Sequence, residues 1–253
     1  MSWWWLLACA GDPAPLPIDA WVDSSGRQVM YRGMNLNNGA KDTSDHLPGL
    51  TDSELDLLVE HGVSLARYLV FWEALEPEQG TYDQDYMARV VVDVARLTSR
   101  GLDVVLDMHQ DVYGQGFGFT GLPDWTCDAE LYETFEYQDL GWWANYMTPE
   151  VRECFDRFWA SSELQLAYAQ AWGEMAERAK EDPGVIGFEV MNEPFWGTLD
   201  PVDLDTEYLP AFYETVADHL PQDRVVIVDP CVSTNLSGEV NLELPEDDRW
   251  VLG

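Results

Sequence analysis

Residues 83–109 read DQDYMARVVVDVARLTSRGLDVVLDMH. From Asp83 to Arg100, apolar side chains recur at Tyr86, Met87, Val90, Val91 and Val94, one face of a 3.6-residue period, and Gly101 is a stop signal. From Leu102 to Met108 the chain is nearly continuously apolar, as in a strand buried on both faces. A helix that stops on glycine and feeds such a strand is half of a βαβ unit. The same pattern extends outward in both directions. Upstream, Val63–Val70 reads as a strand and Thr51–His61 as the helix before it. That helix opens on the capping box Thr51-x-x-Glu54, carries Leu55, Leu58 and Val59 on one face, and closes at Gly62. Earlier still, Trp21–Val29 has hairpin chemistry and Met30–Asn35 reads as the first core strand. Downstream, helices are expected over Glu163–Lys180 and Leu204–Leu220, and strands over Val185–Met191 and Arg224–Val228. Trp250–Leu252 begins one more.

Strands alternating with helices imply right-handed crossovers and a parallel sheet, hence the α/β class. Polar residues sit directly after strand ends: Asn35, His109, Asn192 and Glu193. A (β/α)8 TIM barrel places its site on that face. A doubly wound sheet does the same, but its nucleotide-binding glycine fingerprint is absent. Six core strands are legible where a barrel needs eight, so the expectation is an incomplete barrel of about strands one to six, spanning residues 18–253. The segment at about 112–162 is too long for an ordinary βα connection. It reads as an insertion forming a wall or lid over the site.

With 46% hydrophobic and 13% aromatic residues among 253, the chain can bury a sizeable core. Forty-seven acidic residues against 13 Lys plus Arg give a formal charge of −34, which repels phosphate backbones and argues against nucleic acid as a partner. No apolar run is long enough to span a membrane as a helix. Residues 1–17 read as a leader and tether: Leu6-Leu7-Ala8-Cys9 is similar to a bacterial lipobox, which would make Cys9 a lipid anchor on an exported protein. Cys127, Cys154 and Cys231 allow at most one disulfide among themselves, Cys127 with Cys154 being one choice. No Cys/His spacing suggests a metal, and no cofactor is expected.

The chemistry centres on Val190-Met191-Asn192-Glu193-Pro194. A Glu at a strand end, after Asn and before Pro, together with Arg32-Gly33-Met34-Asn35, Leu65-Ala66-Arg67-Tyr68 and Trp72-Glu73-x-Leu75-Glu76-Pro77, resembles glycoside hydrolase family 5, a family of retaining (β/α)8 glycosidases. The resemblance implies that Glu193 is the general acid/base and that Asn192 binds a sugar hydroxyl. A proton donor to the leaving oxygen favours an apolar pocket, which Met191, Phe195 and Trp196 would supply. It also implies that Arg67 orients the nucleophile, although a buried ion pair at the barrel mouth would ask for the same residue. Leu106-Asp107-Met108-His109-Gln110-Asp111-Val112-Tyr113 is similar to the endoglycoceramidase branch, which cleaves between oligosaccharide and ceramide. There His109, Asp111 and Lys41 would line the sugar subsite, with a strand-capping histidine and an exposed loop amine as the plainer readings of His109 and Lys41. Trp143, with Trp142, Trp125 and Phe119, would stack on sugar or line a lipid groove, or would pack as the insertion's own core.

A retaining glycosidase also needs a second carboxylate about 5 Å from the first as nucleophile. In the family it ends strand seven, and no residue here occupies that position. The expectation is therefore an endoglycoceramidase-like hydrolase that is inactive over residues 1–253 alone. Another family 5 β-glycosidase or a catalytically dead carbohydrate-binding fragment are the competing readings.

Overall fold

The computed structural model describes residues 25–36, 39–246 and 249–253. The chain divides into two compact units, Met1–Tyr31 and Arg32–Gly253. Of the first, residues 25–31 are described and contain a turn with Gly26 at φ 72°. The leader with Cys9, and residues 21–24 of the expected hairpin, lie outside the described residues.

In the second unit, six strands are described: β1 Gly33–Leu36, β2 Leu65–Val70, β3 Asp103–Met108, β4 Val185–Glu189, β5 Val225–Val228 and β6 Trp250–Leu252. They form one sheet in sequence order, every pairing parallel, with β1 and β6 at its edges. A doubly wound sheet reverses its strand order at a switch point. This one never does, so it is the α/β barrel type carried through six strands. The first strand starts three residues later than the expected Met30. Its ladder is set by its neighbour: Ser64 N–H donates to Arg32 O at 3.0 Å, and Gly33 is the first residue in register, opposite Leu65. Alternation in one strand cannot reveal where its partner begins.

The helices follow their sequence signals closely. Asp52–Glu60 starts on the full Thr51/Glu54 capping box, with Thr51 N–H donating to Glu54 Oε2 at 2.8 Å. Gln84–Thr98 is capped by Asp83 and buries Tyr86, Met87, Val90, Val94 and Leu97. Ser162–Ala179 is capped by Ser161, but its buried face runs through Tyr168, Ala171, Trp172 and Met175, leaving Leu164 and Ala167 half-buried. The helix expected over Leu204–Leu220 is split: a π turn at Leu204–Tyr208 precedes Leu209–Ala217. Pro210 has no N–H to continue the regular ladder, and the wider turn absorbs the break.

The insertion is a packed wall. Its helix Pro149–Ala160 buries Val151, Phe155, Phe158 and Trp159. Phe158 meets Trp72 and Tyr168 edge-to-face with centroids 6.5 and 5.9 Å apart, joining the wall to the helical layer. Cys127 and Cys154 are disulfide-bonded, leaving Cys231 a buried thiol. Closing a loop of this length contributes roughly 3–4 kcal/mol by the chain-entropy account. At Gly114 a Cβ would meet Leu122 O at 2.2 Å, so only glycine lets these two backbones touch.

Glu73 pins the wall to the sheet. Its backbone N–H donates to Gly121 O at 2.9 Å and its Oε2 accepts the Gln115 N–H at 2.9 Å. Burial, with a smaller contribution from the nearby Asp124 charge, pushes its carboxyl up to about 8. The folded state thus prefers the protonated acid. Its stabilising contribution is complete below the unfolded value near 4.5 and is lost as pH rises through 8. Glu73→Gln keeps an acceptor for Gln115 without the charge. Thermal melts of the whole protein should show the wild type losing stability relative to this variant between pH 5 and 8, by on the order of a few kcal/mol. Parallel stability curves for the two would refute the assignment.

Candidate active site

The stretch after β4 is held from three sides. Val190 O accepts hydrogen bonds from Tyr168 Oη at 2.7 Å and Trp172 Nε1 at 2.8 Å. Asn192 N–H donates to Met108 O at 3.1 Å, so the chain stays joined to β3 beyond the formal end of its strand. The Asn192 amide donates to Gln110 O at 3.1 Å, and Gln110 Nε2 donates back to Asn192 O and Glu193 O at 3.1 and 3.0 Å. On the far side, Glu193 N–H donates to Asp229 Oδ2 at 2.9 Å. These bonds fix Glu193 at φ 45°, in the left-handed region where a residue with a Cβ costs about 1–3 kcal/mol.

Beneath Glu193, one guanidinium gathers the carboxylates of two strands, β3 and β4, and the side-chain amides of Asn35 and Asn192. Arg67 Nε donates to Glu189 Oε2 at 2.6 Å, and its Nη2 donates to Glu189 Oε1 at 2.5 Å and Asn192 Oδ1 at 2.9 Å. Its Nη1 reaches Asp107 Oδ2 at 3.0 Å and Asn35 Oδ1 at 3.2 Å. Only the planar fork of arginine serves this many acceptors at fixed angles. Burial opposes its charge, but the Glu189 hydrogen bonds and the Asp107 and Glu189 charges win, so Arg67 is held more firmly cationic than usual. Glu189 and Asp229 are both pushed up, first by burial and then by the nearby Asp107 charge.

A second row leads away from Asp107. Asp107 Oδ2 lies 2.8 Å from His109 Nδ1, His109 Nε2 lies 3.4 Å from Asp111 Oδ2, and Lys41 Nζ lies 2.6 Å from the same Asp111 oxygen. Burial would lower His109, but the charge and hydrogen bond of Asp107, with Asp111, raise it. Against burial, His109 and Lys41 hold Asp111 below the ordinary carboxylate range. Such alternating donors and acceptors, tied to Arg67, suit a ligand rich in hydroxyl groups.

Glu193, Asn192, Arg67, Asn35, Glu189 and Asp229 open on one cavity of about 470 Å³, together with the loop after β5. Lys41, His109 and Asp111 join it through the Asp107 contact rather than by lining it. Trp143 lines a separate concavity with Gln138, Leu140 and Met147. Trp125 stands edge-to-face on Trp72 at 5.2 Å and donates to Glu76 O, which is a packing role. Of the apolar residues expected around Glu193, Met191 and Phe195 are buried and Trp196 is partly buried.

Four participants were not singled out from sequence: Asp107, Gln110, Glu189 and Asp229. Two carried a signal. Asp107 and Glu189 are acidic residues inside otherwise apolar strands, and a carboxylate buried there must be paired. Arg67, on the neighbouring strand β2, is the obvious cation. Gln110 and Asp229 acquire their roles only when the strand ends converge.

A family model described as Cellulase (glycosyl hydrolase family 5) matches residues 22–252. Endoglycoceramidase I of Rhodococcus hoagii is 35% identical over 181 residues, which cover 70% of this chain and 36% of that protein. Among solved structures, endo-glycoceramidase II from Rhodococcus sp. in a five-membered iminocyclitol complex superposes with a TM-score of 0.85 at 31% identity, covering 92% of this chain and 57% of that one. The same enzyme in a ganglioside GM3 complex gives 0.83 at 30% identity, again covering 92% and 57%. This chain therefore spans about a third of the curated relative's length and little more than half of the solved chains.

Proposed function

This chain belongs to the cellulase family, glycosyl hydrolase family 5, and on that premise we propose that the full-length protein is a retaining, endoglycoceramidase-like hydrolase that frees the oligosaccharide of a glycosphingolipid from its ceramide. Glu193 is read as the general acid/base. In the first step it gives its proton to the glycosidic oxygen as the bond from the anomeric carbon to that oxygen breaks and a bond to the family's nucleophilic carboxylate forms. In the second, it takes a proton from water as the water oxygen bonds to the anomeric carbon and the enzyme carboxylate departs. Arg67 and Asn192 line the cavity and are read as holding the sugar, while His109, Asp111 and Lys41 extend the row of donors and acceptors that would receive it from beside the cavity. Trp143 is kept as an aromatic sugar- or lipid-facing candidate from the insertion. The leader-like start supports an exported enzyme, anchored through a lipid on Cys9.

The observation that carries this reading is the unbroken chain of contacts from Lys41 through Asp111, His109, Asp107 and Arg67 to Asn192, next to Glu193. Alternating donors and acceptors beside a strand-end carboxyl support a sugar-binding reading. The test is product analysis with the full-length enzyme on detergent-dispersed ganglioside and, separately, on a soluble β-glucan. Intact oligosaccharide plus ceramide is the expected product. Removal of single terminal sugars, or cleavage of the glucan alone, would overturn the lipid assignment in favour of another β-glycosidase of the family.

A further inference from the structure

The loop after β5 reaches the acid/base residue. Asn235 Nδ2 lies 3.0 Å from Glu193 Oε1. This amide is anchored through its loop rather than free to drift. Asn235 sits in the single helical turn Thr234–Ser237, and Thr234 Oγ1 donates to Glu239 O at 3.1 Å across it. Upstream, Val232 N–H donates to Pro194 O at 3.0 Å, directly after Glu193. The base of the loop is tied down by Asp205, 1% exposed within the π turn, whose carboxylate accepts Cys231 N–H at 2.6 Å and Asn241 N–H at 3.4 Å. A buried carboxylate thus fixes both ends of the segment that carries Asn235.

We propose that Asn235 is a positioning residue that claims one oxygen of Glu193 and thereby sets which oxygen exchanges the proton and how readily it is given up. This rests on the reading of Glu193 as acid/base. An amide NH2 can only donate, so Oε1 acts as an acceptor while Asn235 is in place. The proton therefore resides on Oε2 during the acid step, a single defined position rather than two. A donated hydrogen bond also favours the ionised carboxylate over the neutral acid. Asn235 therefore supports the base half of the reaction, in which the carboxylate takes a proton from water.

The other groups around Glu193 do not duplicate it. Asp229 from the end of β5 is occupied by the Glu193 backbone N–H. Arg67 from β2 is committed to Glu189, Asp107, Asn35 and Asn192. Glu189 from β4 and Asp107 from β3 are acceptors. From the insertion, the Tyr146 hydroxyl feels the Glu193 charge but donates to Gln110 Oε1 at 3.2 Å.

The test uses pH profiles of kcat/KM on the full-length enzyme with an aryl glycoside. For Asn235→Ala, the alkaline limb should move up by about one on the pH scale, with KM changed less than about threefold. Asn235→Asp keeps the size and places a like charge against Glu193, so its limb should move further up. Leu236→Ala, in the same turn and exposed, should leave the profile in place. An unmoved alkaline limb in both Asn235 variants, with Glu193→Gln inactive, would overturn this proposal and leave the acid/base assignment standing. Full activity of Glu193→Gln would remove the premise itself.

Discussion

Glu193→Gln in the full-length enzyme is expected to lower kcat/KM on a natural glycolipid by roughly 10²–10⁴-fold, the range of a lost general acid. Glutamine keeps the volume, the φ 45° backbone and an acceptor for Asn235, so the loss reports the proton and not a collapse of the site. The discriminating result comes with an activated substrate. A dinitrophenyl glycoside needs no protonation to leave, so the glycosyl-enzyme should still form and then stall, because water no longer has a base. Azide attacks without giving up a proton, and should restore turnover as the glycosyl azide. Wild-type activity on a natural glycoside would dismiss the assignment. Loss of activity without azide rescue would recast Glu193 as structural or as the nucleophile.

The second large effect concerns residues 1–253 used alone. Their turnover of a fluorogenic glycoside is expected to be absent, several orders of magnitude below the full-length enzyme. The carboxylates beside Glu193 are already engaged: Glu189 by Arg67, and Asp229 by the Glu193 N–H. Neither is available to attack an anomeric carbon. The same material should also melt without a sharp transition. Parallel strands β1 and β6 are left as edges, and an open barrel sheet lacks the side chains that would fill its interior face. Sugar release by purified 1–253, or a cooperative two-state melt of its monomer, would contradict this.

How much of this was legible in the sequence depends on how local the signal is. Three helix starts were readable to within a residue, at helices that Thr51, Asp83 and Ser161 cap through bonds that span three positions. Strand order followed from the alternation alone. The start of β1 was not readable, since its first pairing depends on Leu65, some thirty residues away. The π turn was missed because a proline inside an apolar run shows that a regular helix cannot continue, without showing how the backbone adapts. In the site, Glu193, Asn192 and Arg67 announced themselves by neighbouring residues. Gln110 did not: its importance lies in reaching two carbonyls over eighty positions downstream. Asn235 was equally silent, an ordinary polar residue until a loop folds it onto Glu193.

The backbone at Glu193 has a consequence for anyone who optimises this protein. Position 193 occupies a conformation that glycine adopts freely and asparagine adopts more readily than most residues, so a search that rewards only thermal stability would replace the carboxyl proposed as the acid/base. Ranking substitutions by folding free energy would count that exchange as an improvement. A stabilised scaffold should therefore be accepted only if it retains the unfavourable torsion together with the carboxyl it presents.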